Sequence, residues 1–380
     1  MKKIAVIIIS FLFLCSCSNQ TIQQPEETEA DNKIRAVWIY YRELSMIDEN
    51  GGTAQSFKNK INKIFSDCKG YGLNTVFVQI RPFSDSFYPS DIFPWSEYLT
   101  GEQGKSVNYD PLQIMLNCAK DYNLSFHAWL NPFRITFDDF SKLSESHPAF
   151  NFKESDVIFQ SDNGIYFNPA SLEAQKLVLD GIREIVTNYK VDGIHIDDYF
   201  YPTADEKIDQ NYYKEYKEKG GTLPLNSWRI QNINAFVSGM YQTVKGVNSE
   251  IIVSISPAGN ISNNYKTLYA DVNLWSGRTG YCDMIMPQLY FGFNHKTLPF
   301  ETALSQWAEI NTNNEIKLIC GIGAYKAAEP ENNEWQDVNI IKKQVDCALN
   351  SPKYDGYCLF SYSSLLKLSS DAFSEKRSGD

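Results

Sequence analysis

Basic residues, long apolar runs and metal or nucleotide motifs are all scarce in this sequence, and each shortage excludes something. Its 380 residues hold 35 Lys and Arg against 46 Asp and Glu, a formal net charge of −11. A protein that grips a nucleic-acid backbone needs a basic face, so nucleic acid is not an expected partner. The apolar run near the N-terminus, residues 4–14, covers 11 residues. A membrane-spanning helix takes about 20. The eight cysteines show no CxxC spacing, so no zinc site is expected. No GxGxxG turn follows the first apolar strand-like run and no Gly-x-Ser-x-Gly elbow occurs, so neither a dinucleotide cofactor nor a serine-hydrolase site is expected. No cofactor of any kind is expected.

What is present suffices for a large core: 43% hydrophobic residues, 21% charged and 14% aromatic. The first residues read as an export signal. Lys2 and Lys3 precede the apolar run, which ends in Leu14-Cys15-Ser16-Cys17. That ending resembles a bacterial lipobox, which implies cleavage after residue 16 and lipidation of Cys17. Residues 17–33 are polar and read as a flexible tether, residues 34–370 as one catalytic domain, and 371–380 as a tail. The expected location is the bacterial cell envelope, held by a lipid anchor, in the outer membrane if the source is Gram-negative.

From residue 34 short apolar runs alternate with longer amphipathic stretches. The runs are 34–41, 74–83, 124–133, 192–200, 251–259, 282–290, 316–325 and 355–363. Helical patterns occupy about 54–71, 111–122, 171–189, 226–248, 300–312 and 337–350, with a weaker one in 263–280. Fully apolar strands separated by helices form parallel sheets covered on both sides. Eight such units predict an α/β fold, a (β/α)8 TIM barrel, whose active residues lie where the strands end.

The densest of those ends is Gly193-Ile194-His195-Ile196-Asp197-Asp198-Tyr199. Side chains alternate along a strand, so His195 and Asp197 share one face and Ile194 and Ile196 the other. The two Asp suit glycoside hydrolysis, in which one carboxylate stays ionised and another delivers a proton. Asp85 or Glu43 offers a further acid from another strand end. Asp283 precedes its run, at the opposite rim, and reads as structural. His127 and His195 are expected to hydrogen-bond the substrate or order the carboxylates; alternatively His195, Asp197 and His127 could converge on a metal, as in a metal-dependent hydrolase or deacetylase. Aromatics near the strand ends, among them Trp129, Tyr201, Trp275, Tyr290, Tyr325 and Tyr362, offer stacking faces to sugar rings, and Asn, Gln and Arg suit hydroxyls.

The ordered runs VDGIHIDDYFYP, NTVFVQIRPFSDSFYPS, FPWSEYLTG, FHAWLNPFR, SISPAGN and MPQLYFG resemble the glycosyl hydrolase-like 10 family over about residues 34–365. These are exported barrel proteins, often lipoproteins, and include a divisome-associated peptidoglycan glycosidase. The resemblance implies glycosidic hydrolysis, with cell-wall glycan stripped of peptides as leading substrate and envelope or cell-division proteins as partners. The family's acidic pair falls on Asp197 and Asp198. Its Arg-Pro and following Asp fall on Arg81, Pro82 and Asp85. The HAWxNPxR motif falls on His127, Trp129, Asn131 and Arg134, and PQxY on Pro287, Gln288 and Tyr290. Asn123 stands where the family often has a turn Gly, and Ala258 where Phe is frequent, which would widen a subsite. A non-catalytic glycan-binding barrel is the other reading; it would keep the aromatics and Arg but have no carboxylate pair at a cleavage distance.

Overall fold

The computed structural model describes residues 33–161, 164–330 and 334–368. The expected export signal (1–16), Cys17, the tether apart from its last residue, and the tail lie outside them. Among the described residues no helix is long and apolar enough to cross a membrane.

Eight parallel strands close a barrel in which neighbours in sequence are neighbours in space. They are Ile34–Ile39, Thr75–Arg81, Ser125–Leu130 and Gly193–Ile196, then Ile252–Ile255, Met284–Ile285, Lys317–Ile322 and Gly356–Phe360. The last closes on the first through Ile34–Gly356 to Trp38–Phe360. The expected (β/α)8 fold is therefore the observed one. Alternation divides each strand between two cores. Val76, Val78 and Ile80 face outward into the layer shared with the helices. Ala36, Trp38, Phe77, Trp129, Met284, Met286, Ile319 and Cys358 fill the barrel.

Three of the main helices begin where a short polar side chain satisfies a free N–H group. Thr53 caps Ala54–Gly70, Asp110 caps Pro111–Asp121, and Ser171 caps Leu172–Asn188. The six cysteines among the described residues are unpaired, and only Cys347 is not fully buried. The sixth strand is two residues long because Pro287 has no N–H to continue the ladder. Asn123 has a φ of 47°, the left-handed conformation that Asn tolerates better than most residues, so the turn survives without glycine.

Two departures from the expected pattern matter for the site. After the third strand the chain forms a small antiparallel sheet of Arg134–Thr136, Gly164–Phe167 and Ile158–Ser161. After the fourth strand a long loop carries the helix Gln210–Glu218 and is tied down by a fully buried pair, Asp209 and Arg229, 2.6 Å apart. The weak helical pattern in 263–280 resolves into short turns and the helix Val272–Gly277.

Candidate active site

The strand ends enclose a cavity of about 340 Å³. Its floor rests on His195. Trp38 donates its indole N–H to His195 Nε2 at 3.0 Å. An indole can only donate, so Nε2 accepts and the ring proton sits on Nδ1, 2.8 Å from Ser254 Oγ. Burial holds this imidazole neutral, far below its usual range. His195 points inward as the alternation requires, yet it lies under the cavity and not in its wall. It acts as a post beneath Trp38 and Trp129.

Asp197 also points inward, 3% exposed, and borders the cavity. Its Oδ2 accepts the Trp129 indole N–H at 3.1 Å, and Oδ1 accepts the Asn131 amide at 3.2 Å. Burial pushes its carboxyl up to about 7, and the neighbouring Asp198 pushes the same way, while Arg134 opposes them. Asp198 is half-buried, borders the same cavity and accepts the Gln288 amide at 3.1 Å. Burial raises its carboxyl too, and the Gln288 hydrogen bond opposes that. Arg134 sits among the rings of Phe83, Phe137 and Tyr199, each 4.7–4.8 Å from its guanidinium carbon. On the other wall Tyr290 stacks on Phe360, and Tyr325 meets both edge-on.

Of the residues singled out from sequence, Asp197, Asp198, Trp129, Arg134, Gln288, Tyr290 and Tyr325 line the cavity. Asn131 stands just behind, with its oxygen on the Arg134 N–H and its amide on Asp197. The others are corrected. Arg81 lies outside the barrel, its guanidinium 4.5 Å from the Phe93 ring and against Gly181 of the helix Leu172–Asn188. The ladder shifts register between Gln79 and Arg81, which turns Arg81 away from the cavity. Asp85 is fully buried inside its own loop, where Oδ1 accepts the Phe83 N–H at 3.1 Å, and does not border the cavity. His127 lies deeper in the barrel, with its ring against Phe77, in space left by Gly193. Tyr201 is buried and bonds to Asp209. Trp275 packs on Phe200 and bonds to Asn234, and Tyr362 bonds to Asp67 in the helical layer. All three rings are held by contacts between distant segments. Glu43 accepts from Ser361 and from the Tyr40 N–H, holding two strand ends together. Ala258 pairs beside Gln288 and is not among the residues that line the cavity.

The set His127, His195 and Asp197 does not converge. Both His195 nitrogens are engaged, and among the described residues no three His, Cys, Asp or Glu side chains are arranged to hold a metal ion. Trp38, Tyr40, Gln79, Phe137 and Phe360 line the cavity without having been singled out. Three were legible by parity: Trp38, Gln79 and Phe360 each stand two residues from the inward Ala36, Phe77 and Cys358.

The profile of the family described as glycosyl hydrolase-like 10 matches residues 33–339. The chain belongs to that family. Membership classes it as a glycoside hydrolase acting on O-glycosidic bonds. It is 34% identical over 368 residues to glycosyl hydrolase YngK of Bacillus subtilis (strain 168), covering 91% of this chain and 71% of that protein. It is 27% identical over 408 residues to glycosyl hydrolase DigH of Escherichia coli (strain K12), covering 94% and 92%. Among solved structures it resembles the PgaB (BpsB) glycoside hydrolase domain from Bordetella bronchiseptica, with a TM-score of 0.65, 11% identity, and 90% and 99% of the two chains covered. The catalytic domain of a β-amylase from Paenibacillus polymyxa gives a TM-score of 0.59 at 12% identity, covering 91% and 96%. At such identities these two speak for the barrel alone.

Proposed function

We propose that this glycoside hydrolase cuts a polysaccharide of the bacterial envelope, that peptide-stripped peptidoglycan glycan is its leading substrate, and that it works tethered through a lipid on Cys17. The observation that carries the reading is the adjacent pair Asp197 and Asp198, both bordering one aromatic-walled cavity at the strand ends. Burial raises both carboxyls, and the charge of Asp198 opposes ionisation of Asp197, which suits a pair in which one member holds a proton for delivery. The N–H donors of Trp129 and Asn131, with Arg134 nearby, favour the anion at Asp197. We assign the proton donor's part to Asp198, which gives its proton to the leaving glycosidic oxygen, while Asp197, held by the Trp129 and Asn131 donors, offsets the positive charge that develops on the sugar. A neighbouring depression lined by Phe137, Tyr166, Tyr199 and Pro202 shares two rings with the cavity, which suits a substrate longer than one sugar.

The test is reducing-end release from peptide-stripped peptidoglycan, from intact peptidoglycan and from neutral polysaccharides. Cleavage of the first, abolished in Asp197→Asn, supports the reading. No cleavage of any glycan in the panel refutes it. Fatty-acid labelling of the wild type and of Cys17→Ser tests the anchor separately.

A further inference from the structure

Asp197 and Asp198 are consecutive residues, with Cα atoms about 3.8 Å apart. Both are therefore rooted at one point on the rim, the end of the fourth strand. Most glycosidases that supply their own nucleophile or base set two carboxylates on opposite faces of the sugar. The lining from the ends of the first, seventh and eighth strands, across the barrel from the fourth, is aromatic: Tyr40, Tyr325 and Phe360. Among the described residues that line the cavity, Asp197 and Asp198 are the only carboxylates. Glu43 and Asp85 are held in other contacts away from it. The second face of the sugar thus lacks a carboxylate nucleophile among these residues. Burial raises the phenols of Tyr40 and Tyr290 and so opposes their ionisation, and the substrate can bring a nucleophile of its own. The cavity is also lined by the indoles of Trp38 and Trp129, the second bonded to Asp197, and by the polar Gln79 and Ser256. That mixture suits an acetamido group, with its methyl on an indole and its N–H on Asp197.

We infer that the nucleophile is the substrate's own 2-acetamido carbonyl oxygen, held by Asp197, with Asp198 as proton donor. The inference rests on the hydrolase reading above and narrows it to 2-acetamido sugars whose leaving oxygen is trans to the amide. The carbonyl oxygen attacks the anomeric carbon from the face opposite the leaving oxygen. The glycosidic C–O bond breaks, its electron pair stays on the leaving oxygen, and that oxygen takes the Asp198 proton. The cyclic oxazolinium so formed carries its charge beside anionic Asp197. Water then attacks the anomeric carbon, returns a proton to Asp198, and the ring opens to restore the acetamide. One water is consumed and the anomeric configuration is retained.

The purified full-length protein is assayed on peptide-stripped peptidoglycan glycan, on the same material N-deacetylated, and on portions re-acylated with acetyl or trifluoroacetyl groups. Trifluoroacetyl is nearly as large as acetyl, but its carbonyl is a far weaker nucleophile. The expected result is at least about a 100-fold lower kcat for the deacetylated and trifluoroacetylated strands, with recovery on re-acetylation. Proton NMR is expected to show the new reducing ends first in the configuration of the bond cut. Equal rates on all four strands, an inverted first product, or comparable cleavage of a glycan that has no 2-acetamido groups overturns the inference and leaves the hydrolase reading standing. Absence of cleavage throughout the glycan panel removes the hydrolase reading, and the inference with it.

Discussion

Two substitutions separate the members of the acidic pair. Asp198→Ala is expected to slow glycan cleavage by about 10²–10⁴, the usual worth of a positioned proton donor. It should slow aryl glycosides with acidic leaving groups much less, because they depart without a proton. Asp197→Asn should lose activity on both classes while keeping the fold, a contrast that parallel rate and melting measurements resolve. Asp85 tests the opposite outcome. Burial lifts its carboxyl from 3.8 to about 6 in the folded protein. Between those pH values the folded chain holds a proton that the unfolded chain has lost, so stability from this group falls as pH rises and levels off above about 6. Asp85→Asn keeps an acceptor for the Phe83 N–H and removes this slope. The variant should be up to about 3 kcal/mol more stable than wild type at pH 8, equal to it near pH 3, and active. Denaturant unfolding at a series of pH values measures it. At this scale the sequence was a good guide to Asp197 and a poor one to Arg81. Alternation along the strand from Ile194 places the first. A shift in the ladder, set by pairing with another strand, turns the second outward.

The loops after the third and fourth strands carry most of one cavity wall, and both are held by contacts remote in sequence. Arg229, on the helix Leu225–Val247, bonds to both Asp209 oxygens, to the Ala204 and Asp205 carbonyls, and lies over the rings of Tyr201 and Tyr269. It clamps the segment that follows Asp198 and Tyr199. Arg229→Met leaves Asp209 buried without its counter-charge. The expected cost is about 3–5 kcal/mol by chemical denaturation. Replacing Asp209 as well with a hydrophobic residue of similar volume should recover part of it. The small sheet supplies the second contribution. Phe137, 52% exposed, projects beside Tyr199 between the cavity and its neighbouring depression. Phe137→Ala is expected to raise KM several-fold for long glycans and to leave the shortest cleavable fragment nearly unchanged, which steady-state kinetics on a length series would show. The six main helices were legible from apolar periodicity. The small sheet was not, because its three short strands gain their order only by pairing with one another above the barrel.

At the scale of the whole molecule, closure is the controlling event. The eighth strand pairs with both the seventh and the first, so a chain that ends before Gly356 leaves two open edges. Such a truncation is expected to abolish cooperative unfolding. A chain that begins at residue 33 keeps every barrel strand and should retain its melting transition and its activity on soluble glycan; calorimetry and reducing-end release compare the two. The order of strands and helices, the inward direction of Asp197 and the crowding of polar and aromatic groups at one rim were set by the sequence alone, because periodicity and strand alternation are local properties of a chain. Which of those rim groups share one cavity was decided only when the barrel closed and its loops packed. Depth, register shifts and the shielding of Tyr201, Trp275 and Tyr362 depend on segments far apart in sequence, and no local pattern encodes those distances.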